Sequence, residues 1–104
     1  MISSSLSIFW WERNQTPKVF NINKELIHIG RDISNDLVMR SRSVSRNHGS
    51  IINIGEKVHY LDKGSSIGSK LNGKKILSEK PIELHPGDIV SLGFVDLTIS
   101  SSKV

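Results

Sequence analysis

Apolar residues recur along this chain in short bursts, each ended within a few positions by glycine, asparagine, proline or serine. "LSIFWWE" (6–12) gives way to the polar turn "RNQTP". "KVFNI" (18–22), "ELIHIG" (25–30) and "DLVM" (36–39) follow. Further on come "SIINI" (50–54), "KVHYLD" (57–62), "PIEL" (81–84), "DIVSLG" (88–93) and "VDLTIS" (95–100). Several of these alternate apolar with polar positions and are rich in Ile and Val, a pattern that predicts half-buried β-strands. No window keeps a helical i, i+3, i+4, i+7 pattern through two turns. Turn chemistry falls between the bursts. Gly55-Glu56 separates two of them, Asn72-Gly73 is the strongest short hairpin signal, and His85–Asp88 ("HPGD") reads as a tight turn. Many short strands at spacings of roughly 8–12 residues predict an all-β sandwich or barrel. With no repeat and no internal linker, residues 1–104 read as one domain, and residues 100–104 are expected to fray.

Composition narrows the function more than the fold. The 104 residues include 14 Lys+Arg against 10 Asp+Glu, a net charge of +4 that suits an anionic partner without naming one. Cysteine is absent, so no disulfide, thiolate metal site or cysteine nucleophile exists. That is compatible with a reducing compartment, and the expected location is intracellular. No apolar run approaches the roughly 20 residues that span a bilayer, so no membrane partner is expected. The opening "MISSSLSIFWWER" lacks a basic n-region and reads as a first strand.

Catalytic and cofactor chemistry finds little support. His28, His48, His59 and His85 form no i, i+4 pair, and His28 and His59 read as satisfied strand residues. "GSSIGSKLNG" has neither the ending nor the helix of a P-loop. Phe9, Trp10 and Trp11 are adjacent on a strand and face opposite ways, so they are not one stacking platform for nucleic acid. No enzyme, metal, cofactor or nucleic-acid partner is expected.

One segment stands out: "RSRSVSR" (40–46), with three arginines, three serines and no acid. It fits a disordered basic segment, the target of an arginine-directed kinase at Ser43, or an ordered loop that itself holds a phosphate. Its context separates these. "HIGRDISND" (28–36), "SVSRNH" (43–48) and "DKGSSIGSKLNG" (62–73) each fall at a strand end or in a loop. Together they bring guanidinium groups, hydroxyls and glycine backbone. A guanidinium can bind two phosphate oxygens in parallel, while hydroxyls and backbone N–H groups take the remaining lone pairs.

The order Gly-Arg, then Ser-x-x-His, then a "GSxxG…NG" loop resembles the forkhead-associated (FHA) domain over 26–99, and "HPGDIVSLG" fits that family's Gly-Asp turn and following strand. The resemblance implies a β-sandwich of about 11 strands that binds phosphothreonine peptides through loops at one end. Position by position, it makes Arg31, Ser45, Arg46 and Ser66 the phosphate-binding residues. Gly30, His48, Gly64, Asn72 and Gly73 become structural supports, His48 as the ring that buttresses the loops, and Ser43 and Ile67 become specificity positions. Arg40 and Arg42 remain either solvated charges or part of a kinase site. Where Ile67 stands the family usually has Asn, whose amide bonds the peptide main chain. That departure leaves an alternative: a scaffold of the same fold making phosphate-independent protein contacts.

Overall fold

The computed structural model describes residues 6–101. The described residues form an all-β sandwich. In chain order the strands are β1 (Leu6–Trp10), β2 (Lys18–Asn21), β3 (Leu26–Gly30), β4 (Leu37–Val38), β5 (Gly49–Ile54), β6 (Lys57–Asp62), β7 (Ser69–Leu71), β8 (Lys74–Lys75), β9 (Ile82–Glu83), β10 (Ile89–Leu92) and β11 (Val95–Ser101). One sheet runs β2-β1-β11-β10-β7-β8 and the other β4-β3-β5-β6-β9. Pairing is antiparallel throughout except between β3 and β4, where Ile29 faces Leu37 in parallel.

The period-two pattern places the core. Ile8, Trp10, Val90, Leu92, Leu97 and Ile99 project from one sheet onto Ile27, Ile29, Ile51, Val58 and Tyr60 from the other, all buried. Fully burying one such side chain stabilises the fold by about 1.5–3 kcal/mol. The turns obey their residue types. Gly55 and Glu56 both have positive φ (56° and 68°), as do Asn72 and Gly73 (51° and 85°), the signature of type I′ hairpins. In "HPGD", Asp88 N–H donates to the His85 carbonyl at 3.1 Å, closing the predicted turn.

The C-terminal expectation divides. Ser100 and Ser101 belong to β11 and pair with Ser7 and Leu6, so the sheet ladder, rather than fraying, claims them. The remainder of that expectation, 102–104, lies outside the described residues. The start of the first strand, expected from the opening bursts, is likewise described only from Leu6 onward.

Loops cluster at the end of the sandwich where β3 ends and β5 begins. The segment 39–48 crosses this end, and two buried apolar side chains, Met39 and Val44, pin it (both 0% exposed). Val44 sits in the middle of "RSRSVSR". A disordered basic tail has no such anchor, so the serine-arginine segment is an ordered loop. Val44→Ala is expected to lower unfolding free energy by about 1.5–3 kcal/mol, checked by urea denaturation.

Candidate functional site

Three loops meet at this end, each tied to the next by hydrogen bonds. Loop 31–36 leaves β3. Arg31 N–H donates to Ser45 O at 3.0 Å, and Asp32 N–H to Arg46 O at 3.2 Å. Asn35 fastens the same contact from its side chain, its Nδ2 donating to Arg46 O at 2.7 Å and to Asp32 O at 2.9 Å. Gly30 is required by this closeness: a Cβ there would stand 2.1 Å from Arg46 O. The Arg31 side chain then follows the backbone. Its Nε donates to Val44 O at 3.0 Å, which fixes the guanidinium and leaves both Nη atoms without an acceptor among the described residues.

The middle loop is organised by His48, fully buried. Ser45 N–H donates to His48 Nδ1 at 2.9 Å, so Nδ1 carries no proton. Nε2 therefore holds it and donates to Gly68 O at 3.0 Å. One neutral ring thus links the second loop to the third. Burial holds the His48 pKa below its ordinary value, against the pull of the Gly68 carbonyl and of Asp62, 3.7 Å away. A depressed histidine pKa means the unfolded chain binds the proton more readily. His48's contribution is complete above about pH 6.5 and is lost as pH falls from there through the folded pKa. Urea denaturation between pH 7.5 and pH 5 should show the wild type losing stability in this window, and His48→Asn losing less of it.

The third loop, 63–68, hangs on Asp62, 2% exposed. Its carboxylate accepts from Gly64 N–H (2.9 Å), Ser65 N–H (3.1 Å), Ser65 Oγ (2.5 Å) and Ser69 Oγ (2.5 Å). Tyr60 completes the chain by donating to Ser69 Oγ at 2.7 Å. Burial opposes the ionised form of Asp62, but the bonds from Ser65, Ser69 and Gly64 outweigh it and hold the pKa below the usual carboxylate value. Burial pushes the Tyr60 hydroxyl well above its usual range, so it is a donor at any working pH. Gly64 (φ 77°) permits the turn that points these N–H groups inward.

The second and third loops meet at the candidate phosphate contacts. Ser66 N–H donates to Ser45 Oγ at 3.0 Å, so the Ser45 hydroxyl is oriented while its own proton stays free to donate. The Ser66 hydroxyl and the Arg46 guanidinium, both on exposed residues, have no hydrogen-bond acceptor among the described residues, although hydrogen bonds from Ser34 and, less strongly, the nearby Arg46 charge hold the Asp32 carboxyl below its usual pKa. Arg31, Ser45, Arg46 and Ser66 are thus brought together on cross-linked loops. Ile67 lies beside them, 50% exposed.

Other sequence-derived positions are used inside the domain. Ser43 Oγ accepts from Phe94 N–H at 2.9 Å and pairs with Ser41 Oγ at 2.8 Å, which ties the middle loop to the β10–β11 turn. Asn72 bonds Asp88 and the Ile89 backbone, so the Asn72-Gly73 turn locks β7–β8 onto β10. His28 and His59 are satisfied, by Ser50 and Lys63 and by the Lys57 carbonyl. Asn35 and Asp62 were not singled out from sequence. The signal for Asp62 was there: an Asp two residues before Gly and three before Ser invites a side-chain-capped turn.

Comparison with known proteins agrees with this architecture. The FHA domain family matches residues 27–93, and the chain belongs to that family. The comparison with curated proteins found no match. Among solved structures, the FHA domain of CT664 from Chlamydia trachomatis superposes with a TM-score of 0.83 at 25% identity, covering 94% of this chain and 98% of that one. The FHA domain of an Arabidopsis thaliana hypothetical protein gives 0.85 at 22% identity, covering 100% and 91%. A domain from a study of phosphothreonine-dependent FHA interactions gives 0.82 at 19% identity, covering 97% and 100%. FHA domains are non-catalytic binding modules, typically for phosphothreonine.

Proposed function

We propose that this domain binds a partner protein through a phosphothreonine held by Arg31, Ser45, Arg46 and Ser66. The observation that carries the reading is a set of donors with no acceptor among the described residues. The Arg31 Nη atoms, the Ser45 proton, the Ser66 hydroxyl and the Arg46 guanidinium belong to loops that are tied together and locked by His48, Asn35 and Asp62. A phosphate dianion has the oxygens and the charge such a set lacks. Because the Arg31 guanidinium and the Ser45 hydroxyl are held before the ligand arrives, only the exposed Arg46 and Ser66 side chains have still to be ordered on binding. Exposed Arg40 and Arg42 add longer-range attraction that salt screens, and they favour acidic residues near the phosphothreonine. An oriented library with phosphothreonine, phosphoserine and unphosphorylated pools tests this: the phosphothreonine pool should be retained, and equal retention of all three contradicts the reading.

Half-exposed Ile67 favours a second reading, a scaffold whose contacts do not need phosphate. It cannot replace an amide that bonds the peptide main chain, a loss of about 0.5–1.5 kcal/mol. It offers instead an apolar contact, at about 25 cal/mol per Å² buried, to a residue following the phosphothreonine. Ile67→Asn should therefore tighten binding of peptides polar at that position and leave or weaken apolar ones. An unchanged library profile contradicts this role, and a mutant that is folded yet still blind to phosphopeptides favours the scaffold.

A further inference from the structure

The outward face of the six-stranded sheet departs from the polar surface that alternation predicts for a solvated sheet. It is polar in two rows, where Ser7 bonds Asn21 and Ser91 bonds Asp96 across neighbouring strands, each at 2.6 Å. Between them Val19, Phe9, Thr98 and Ile89 stand directly opposite one another on β2, β1, β11 and β10. Val19 is 64% exposed and Ile89 40%. Trp11, two positions beyond Phe9 and so on the same face, sets its ring edge-on to Phe9 at 5.8 Å and 67°. With Phe94, 81% exposed on the β10–β11 turn, Phe9, Trp11, Thr98 and Ile89 line a groove of about 600 Å³, and Val19 extends the row beyond it. Adjacent Phe9 and Trp10 do face opposite ways, as the sequence predicted, but Phe9 and Trp11 share a face.

The charges around the groove are unevenly spent. Glu12 uses its carboxylate on Arg40 N–H (3.0 Å) and Ser41 N–H (2.8 Å), and Asp96 accepts from Ser91. The guanidinium groups of Arg13 and Arg40, both exposed, have no acidic partner among the described residues. An aromatic floor with open guanidinium donors at its rim suits an aromatic or large aliphatic side chain flanked by carboxylates.

The groove is also continuous with the phosphate loops. Glu12 holds the start of the segment that carries Ser45 and Arg46, and Phe94 N–H holds Ser43 within it. Arg40 and Ser41, at the start of that segment, themselves line the groove. We infer that the groove is a second docking site for the phosphothreonine partner, taking an apolar residue set among acidic ones that lies outside the phosphothreonine motif. The inference rests on the phosphothreonine reading of the loops.

The probe is a library of random peptides of about 24 residues with a fixed central phosphothreonine, so that either arm can span about 40 Å, beyond the domain's 33 Å extent. Selected peptides are remeasured whole and cut to the few residues around the phosphothreonine. Expected winners carry an aromatic or aliphatic residue among acids in one arm, and the whole peptide binds about tenfold more tightly than the cut one. Trp11→Ser and Phe94→Ser, both at exposed side chains, should erase that difference and leave the short peptide's affinity unchanged. Equal binding of whole and cut peptides overturns the groove but not the loops. If short phosphopeptides fail to bind at all, the phosphothreonine reading has failed. The groove is then judged by the Trp11 indole N–H signal under winners from an unphosphorylated pool: a shift supports a partner site there, and a still signal overturns it. A concentration-dependent dimer in sedimentation, lost in Phe94→Ser, assigns the face to a second copy of the chain and also overturns the inference.

Discussion

Arg31→Ala should weaken binding of a phosphothreonine peptide about 10- to 150-fold, the equivalent of about 1.5–3 kcal/mol for a charge-assisted hydrogen bond. The size follows from how the side chain is held. Its Nε is committed to Val44 O, so the terminal nitrogens present their donors without having to be ordered first. Arg31→Lys should recover only part of the loss, because an ammonium has neither the second parallel donor nor the anchoring Nε. Stability should hardly change, since Arg31 is exposed and its backbone bond to Ser45 O remains. Calorimetry on the three proteins decides it. An Arg31→Ala protein that binds like wild type removes the phosphate role from this residue.

Asp62→Ala should be the most damaging single change for the fold and the site together. It leaves two hydroxyls and two backbone N–H groups without their acceptor in a region where Asp62 itself is 2% exposed. A buried donor left without its acceptor costs about 1–3 kcal/mol, so losing the shared acceptor of four removes a large part of the 5–15 kcal/mol typical of a domain. The third loop then loses its anchor, and Ser66 and Ile67 lose their fixed places. Asp62→Asn should fall between, since its amide oxygen still accepts but its NH₂ confronts other donors. Urea denaturation should show both drops. Because the folded Asp62 pKa is depressed, its contribution is present above the ordinary carboxylate pKa and is lost as pH falls below it. The stability gap between the wild type and Asp62→Ala should therefore narrow as pH falls below that value. Equal stability at pH 7 contradicts the role given to this carboxylate.

The strands were legible because period two is a backbone property that burial makes visible. Ile27 and Ile29 point inward and Leu26 and His28 do not, whatever the neighbouring strand. The type I′ turns were legible because glycine and asparagine are tolerant of positive φ. The Arg31, Ser45, Arg46 and Ser66 cluster could be assembled only through a family resemblance, since loops from three strand pairs converge by topology. What stayed hidden was the wiring. Nothing local tells that Asn35 reaches Arg46 O, that Ser43 turns to Phe94, or that Val44 is the anchor of a segment that otherwise reads as charged and flexible. The groove was hidden for a related reason. Its row runs across four strands far apart in sequence, and only the register sets Val19, Phe9, Thr98 and Ile89 in line.

On the proposed reading, the three loops form a preorganised phosphate cradle. Titrating the isotopically labelled domain with a phosphothreonine peptide and with its unphosphorylated twin, while following the Arg31 Nε–H and the Ser45 and Ser66 amide signals, tests it most directly. These signals should shift and saturate with the phosphorylated peptide alone, with the His48 ring staying in its neutral Nε2–H form. Equal shifts with both peptides, or shifts confined to residues away from these loops, contradict it.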